Sequence, residues 1–210
     1  MKRILGELEA LKRSDIRPVV DSRMRDFEFF QDASDSEVWS ELCFCLLTAN
    51  FQAEKSMRIQ AELGGAFLSH TEEGLSSELR RLGHRFPNMR AKFIVDARRH
   101  LRGLRARLDS FDDDHARRMW LVDNVKGLGM KEASHFLRNI GYKDYAIVDF
   151  HIVDKLVDSG LVARPKSRSL TPKSYLAIEQ CLKDLGKKSG LSQAELDLYL
   201  WYAETGKVLK

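Results

Sequence analysis

Long apolar runs are missing from this 210-residue chain. No segment approaches the roughly 20 apolar residues that a membrane-crossing helix needs, and the opening Met1-Lys2-Arg3-Ile4-Leu5-Gly6-Glu7 lacks the apolar core of a secretory leader. Cysteine is scarce: Cys43, Cys45 and Cys181 cannot all pair, and a reducing cytoplasm would keep them as thiols. Cys43 and Cys45 sit one residue apart in an apolar stretch and read as small core side chains. The six histidines show no metal-ligand spacing backed by other ligands, so no zinc site is predicted. Proline occurs four times, no stretch alternates apolar and polar residues, and no internal repeat or domain-separating linker stands out. With 43% hydrophobic residues and a mean hydropathy of -0.37, the expectation is a cytoplasmic globule, all-α, with one large domain or two small ones.

Acidic residues are also missing where it matters. The net charge of +4 is modest, yet Arg80 to Arg107 carries ten Arg or Lys against a single acid, Asp96. A second stretch, Ser159 to Ile178, has no acid and holds Arg164, Lys166, Arg168 and Lys173. Local excess of this kind suits a surface that contacts phosphates. Charge alone does not distinguish it from a solvated helix face.

What is abundant is helical periodicity. Val38, Leu42, Cys45, Leu46 and Ala49 recur at three- and four-residue steps, which predicts a helix over Ser36 to Ala49. Phe93, Ile94, Ala97 and Leu101 predict another, opening near Pro87. Ala133, Phe136, Leu137 and Ile140 give a third its apolar face, with Gly141 as its stop. Ile147 to Leu156 reads as a helix with Asp149 near its start. Ser192 with Glu195 forms the pattern of a capping box opening a last helix through Glu204. Gly64-Gly65, Arg85 to Asn88 and Ala163 to Pro172 read as loops.

The densest signal is Val125-Lys126-Gly127-Leu128-Gly129-Met130-Lys131, followed eighteen residues after that lysine by Asp149. Two glycines one residue apart permit a tight hairpin whose backbone adopts positive φ and approaches a ligand closely. A helix beginning right after them points its unbonded N–H groups outward, which suits an anion. An amine and a carboxylate in reach of such an anion could act on what it holds.

The hairpin with Lys131, then Ala146-Ile147-Val148-Asp149-Phe150-His151, resembles the helix-hairpin-helix DNA glycosylase/AP lyase superfamily, with the lysine-to-aspartate spacing of its endonuclease III-like branch. Leu42-Cys43-Phe44-Cys45-Leu46-Leu47-Thr48-Ala49-Asn50-Phe51, Leu82-Gly83-His84-Arg85-Phe86 and the ending Thr205-Gly206-Lys207-Val208-Leu209-Lys210 extend the likeness over nearly all 210 residues. As a whole the chain is similar to the type-2 8-oxoguanine DNA glycosylase/lyases of archaea and some bacteria. Two departures stand out. The family's proline before the hairpin is replaced by Lys126, and the last third has only Cys181, too few cysteines for the iron–sulfur loop of many endonuclease III relatives.

The resemblance implies two helical subdomains, 1–32 plus 142–210 and 33–141, with the hairpin motif at about 115–141 flanking a DNA-binding cleft. It implies Lys131 as the Schiff-base nucleophile and Asp149 as its electrostatic and proton-transfer partner. Gly127 and Gly129 would present backbone amides to a DNA phosphate, and the hairpin carbonyls could hold a monovalent cation; no other cofactor is expected. Lys210, Trp201 and His135 are candidates for recognising the extruded base. Asn50, Phe51, Gln52, Arg85 and Phe86 are candidates to fill the gap it leaves. The implied partner is duplex DNA carrying 8-oxoguanine or an abasic site, acted on by a monomer at the nucleoid. Taken singly, each residue also has a plain structural reading: an exposed helix lysine, a helix N-cap, a core aromatic. A glycosylase/lyase for oxidised pyrimidines and a non-catalytic helix-hairpin-helix DNA-binding module remain as alternatives.

Overall fold

The computed structural model describes residues 1–167 and 169–210; Arg168, one of the basic residues singled out above, lies outside them. Among the described residues all regular structure is helical, as the periodicity predicts. The helices are α1 Lys2–Lys12, α2 Arg17–Phe29, α3 Asp35–Thr48, α4 Ala53–Leu63, α5 Ala66–Ser69, α6 Glu72–Arg81, α7 Pro87–Ala97, α8 Leu104–Asp109, α9 Asp114–Asn124, α10 Met130–Asn139, α11 Phe150–Asp158, α12 Pro172–Ser189 and α13 Gln193–Thr205. None is long and apolar enough to cross a membrane. Contacts group them into two compact units, one of Phe30–Ile140 and one of Met1–Phe29 with Gly141–Lys210.

The unit of residues 30–140 is built around α3. Val38, Trp39, Leu42, Cys43, Phe44, Cys45, Leu46 and Leu47 are all buried, so this helix is apolar on every side and packs against α4, α7, α8 and α10. Its start is fixed by a capping box: the Ser34 amide donates to Glu37 Oε2 at 2.8 Å, and the Glu37 amide donates back to Ser34 Oγ. Glu41 is the exception on this core helix. A carboxylate there is costly unless hydrogen-bonded, and it accepts from Gln60 Nε2 of α4 and Asn139 Nδ2 of α10, each at 3.0 Å. Burial pushes the Cys43 thiol well up, consistent with a core role. α7 opens on Pro87 as expected, but Asn88 is already in its first turn, so the loop read over Arg85 to Asn88 is shorter. Asn88 Oδ1 accepts from Ser76 Oγ (2.6 Å) and Arg80 Nη2 (2.8 Å), which binds α7 to α6.

In the other unit α13 occupies the centre and touches α1, α2, α11 and α12. The Ser192–Glu195 box that opens it is present, and Gly206 closes it at φ +71°, a left-handed value that glycine adopts without penalty. Lys155 of α11, its side chain only 10% exposed, reaches Glu7 of α1 at 2.9 Å and Glu204 of α13 at 3.0 Å. One expectation is corrected here. The helix read from Ile147 begins only at Phe150, and Tyr145 to Asp149 is not helical. The cause lies 27 to 29 residues downstream: the Tyr175 hydroxyl donates to the Ala146 carbonyl (2.9 Å) and accepts from the Val148 amide (3.3 Å), which holds the backbone out of helical geometry.

Candidate functional site

The hairpin joins α9 to α10. α9 is capped at its start by the Asp113 carboxylate, which accepts from the Ala116 amide at 2.7 Å. Its C-terminal carbonyl at Asn124 is taken by Arg99 Nη2, 3.0 Å away. The turn then closes with the Leu128 amide on the Val125 carbonyl at 3.2 Å.

The two glycines do different work. Gly127 has φ +96°, and a Cβ there would lie 2.4 Å from Phe93 Cδ2 and 3.1 Å from Leu46 Cδ2. Its lack of a side chain therefore lets the turn seat on α7 and α3. Gly129 is extended, at φ -93° and ψ -174°, and serves as the N-cap of α10. Its amide donates to Glu132 Oε2 at 3.3 Å, one half of a capping box in which glycine supplies no side chain.

Lys131 is the second residue of α10, half-buried, its Nζ 3.2 Å from Glu132 Oε1. Glu132 thus serves both the Gly129 amide and the Lys131 ammonium. Sequence reasoning missed it, although a Glu three residues after an N-cap position is a readable signal. One turn on, the His135 ring meets buried Phe44 of α3 edge-on, centroids 5.6 Å apart. The hairpin, through Gly127 on Leu46, and His135, through Phe44, therefore both lean on α3.

At the end of α3 the chain turns through Asn50, which is exposed and has φ +57°, a left-handed value that asparagine tolerates better than most residues. The last-turn carbonyls of α3 lack helical partners, and side chains supply them. His84 Nε2 lies 3.0 Å from the Leu47 carbonyl and Arg90 Nη2 is 2.5 Å from that of Ala49. Phe51, half-buried, lies against the His84 ring with centroids 4.2 Å apart, and Gln52 is exposed. Exposed Arg85 stacks over Phe86 at 5.0 Å, with Arg90 on the same ring at 5.9 Å. The two predicted wedge segments, Asn50 to Gln52 and Arg85 to Phe86, are therefore neighbours in one unit, a closeness that nothing in the sequence announces.

Asp149 belongs to the other unit. It is the N-cap of α11, its Oδ1 accepting from the Ile152 amide at 2.9 Å, and it is half-buried. His151 on the first turn of the same helix meets Trp201 of α13 edge-on at 5.1 Å. Trp201 is half-buried, and its indole Nε1 is buried without a hydrogen-bond partner among the described residues. Lys210 lies four residues beyond the Gly206 cap and is half-buried. Among the described residues no group of three or more His, Cys, Asp or Glu is placed to hold a metal ion.

Comparison with known proteins adds the following. A family model described as 8-oxoguanine DNA glycosylase matches residues 20–191. A Korarchaeum cryptofilum protein named 8-oxoguanine DNA glycosylase/AP lyase is 49% identical over 99% of this chain and 98% of its own length. A protein of the same name from Methanocaldococcus jannaschii is 46% identical over 99% of both. Among solved structures, the Methanocaldococcus jannaschii 8-oxoguanine glycosylase/lyase in complex with a 15mer DNA containing 8-oxoguanine superposes with a TM-score of 0.95, at 45% identity, covering 99% of this chain and all of that one. The 8-oxoguanine DNA glycosylase of Thermotoga maritima gives 0.92 at 39% identity, covering all of this chain and 99% of that one.

Proposed function

The chain belongs to the 8-oxoguanine DNA glycosylase family, and from that premise we propose that it excises 8-oxoguanine from duplex DNA and cleaves the resulting abasic site by β-elimination. The observation that carries this reading is Lys131 on the first turn of α10, directly after the glycine hairpin, in a chain alike along its whole length to glycosylase/lyases.

In the proposed reaction the Lys131 amine, as free base, attacks the sugar C1′. The glycosidic bond breaks and its electron pair leaves with the base, which takes up a proton. The sugar C1′–O4′ bond then opens and an iminium links Nζ to C1′. That cation acidifies the C2′ proton; its removal sends electrons to C3′–O, and the 3′ phosphate departs. Water finally hydrolyses the iminium and returns the lysine. Asp149 supplies negative charge to the developing sugar cation and a place for protons to move.

Gly127 and Gly129 bring the hairpin backbone to a phosphate. At Gly129 the phosphate competes with Glu132 for the amide, so DNA binding and the Lys131–Glu132 pair are linked. A monovalent cation fits the hairpin by donor type: the Val125 carbonyl accepts one bond from Leu128 and keeps a second lone pair. It would stiffen the turn, and no chemical step passes through it. Lys210, Trp201 and His135 are assigned to the extruded base; the unpartnered Trp201 indole N–H offers a donor as well as a stacking face. Asn50, Phe51, Gln52, Arg85 and Phe86 are assigned to the gap and the opposite strand. The protein acts as a cytoplasmic monomer on nucleoid DNA, without a redox or iron–sulfur cofactor.

Borohydride trapping on duplexes carrying 8-oxoguanine, an oxidised pyrimidine or guanine tests this directly. The expected result is a covalent adduct on the 8-oxoguanine duplex with the wild type and none with Lys131→Gln. An adduct on the pyrimidine lesion instead would reassign the substrate. No adduct anywhere, with DNA binding intact, would leave a binding module.

A further inference from the structure

His84 occupies a junction that the proposed chemistry does not use. The Phe86 amide donates to its Nδ1 at 3.1 Å, so Nδ1 carries no proton. Nε2 faces the Leu47 carbonyl at 3.0 Å, and a carbonyl only accepts, so Nε2 carries the proton. The ring is thereby fixed as one neutral tautomer. It is 4% exposed, and its face is covered by Phe51. One buried imidazole thus holds the end of α3, the Phe51 ring and the Arg85–Phe86 backbone at once. The charged neighbour that acts on it is Arg90 of α7, which reaches the adjacent Ala49 carbonyl and the Phe86 ring.

We propose that His84 is a positioning residue that locks the Asn50–Gln52 turn and the Arg85–Phe86 turn into a single preformed wedge, so that both enter the DNA together when the damaged base leaves the stack. This rests on the reading of those two turns as the gap-filling elements. The physical advantage is preorganisation: aromatic side chains already fixed on the protein lose little freedom on insertion, and unstacking is offset in one event. Without the imidazole, the Phe86 amide and the Leu47 carbonyl lose their shared partner, and Phe51 loses the ring it lies on.

The test compares single-turnover excision of 8-oxoguanine paired with cytosine against excision of the same lesion opposite a missing base, where little stacking has to be broken. For His84→Leu the paired rate falls roughly tenfold relative to the unpaired rate, a typical penalty for misplaced groups. His84→Gln, whose amide can accept from Phe86 and donate to Leu47, keeps the ratio within about twofold. Phe51→Ala and Phe86→Ala serve as controls on the underlying reading. If they depress paired excision but His84→Leu leaves the ratio unchanged, the positioning role is wrong and the wedge stands. If neither phenylalanine variant alters paired excision, the wedge reading fails and takes the positioning role with it. Nitrogen NMR of the wild-type imidazole gives a check independent of any variant's folding: a bare Nδ1 and protonated Nε2 are expected, and the opposite tautomer overturns the proposal.

Discussion

The glycine hairpin before Lys131 is seated by packing, whereas the non-helical segment before Asp149 is seated by hydrogen bonds to one phenol. Gly127 presses against Phe93 and Leu46 with no room for a methyl group, and close-packed contacts of this kind tolerate little change in volume. Ala146 and Val148 are instead pinned by Tyr175, through one bond given and one received. The first arrangement is close-packed against side chains of two other helices, α7 and α3. The second depends on a residue a helix away and on two bonds of ordinary strength, so one atom's removal tests it.

Asp149→Asn separates the helix cap from the catalytic role proposed for that residue and carries the largest expected effect. Asparagine caps a helix about as well as aspartate, so stability should stay within about 0.5 kcal/mol, while excision should fall about 100-fold or more with the charge. Equal loss of both would reduce Asp149 to a cap. Next comes Gly127→Ala, where overpacking against Phe93 and a strained positive φ together should cost about 2–4 kcal/mol by thermal or denaturant unfolding. Adding Phe93→Leu should recover part of that loss if packing seats the hairpin; no recovery would mean that backbone strain alone matters.

Tyr175→Phe should cost about 1–3 kcal/mol, because it leaves the Val148 amide and Ala146 carbonyl without a shared partner. It should also lower kcat with little change in KM, since Asp149 shifts while the DNA contacts assigned to the hairpin remain. A change confined to KM would contradict this. The smallest effect is with pH. Burial, assisted by Arg90, holds the His84 imidazole below its usual value against the opposing pull of its bond to the Leu47 carbonyl. The unfolded chain then binds the proton more readily than the folded one. This contribution to stability is complete above about pH 6.5 and is lost as pH falls from there toward the folded value. His84→Gln should flatten that part of a stability–pH curve, and an unchanged slope would exclude His84 as its source.

The sequence was most legible where the physics is local. Gly127, Gly129 and Lys131 declare themselves by spacing, and Ser192 with Glu195 by a three-residue box that the structure contains. Asp149 is readable as a helix start, but the apolar run before it misled: Tyr145 to Val148 is buried without being helical. The periodic pattern carries no trace of Tyr175, which decides the matter from 27 to 29 residues away. The His84 junction was hidden for the same reason. Its partner at Leu47 is 37 residues distant, and a histidine beside an arginine and a phenylalanine has no signature of its own.

The discontinuity of one unit also has a consequence for how the protein is made. Residues 30–140 are complete as soon as they clear the ribosome, but Ile4, Leu8, Val20, Met24 and Phe27 belong to a core whose central helix ends at Thr205. At roughly 5–20 residues per second, helices α1 and α2, complete at Phe29, wait about 9–35 s for the 176 residues that follow up to Thr205. Throughout that interval their apolar faces are available to chaperones, so two helices made before the 30–140 unit are buried only after it.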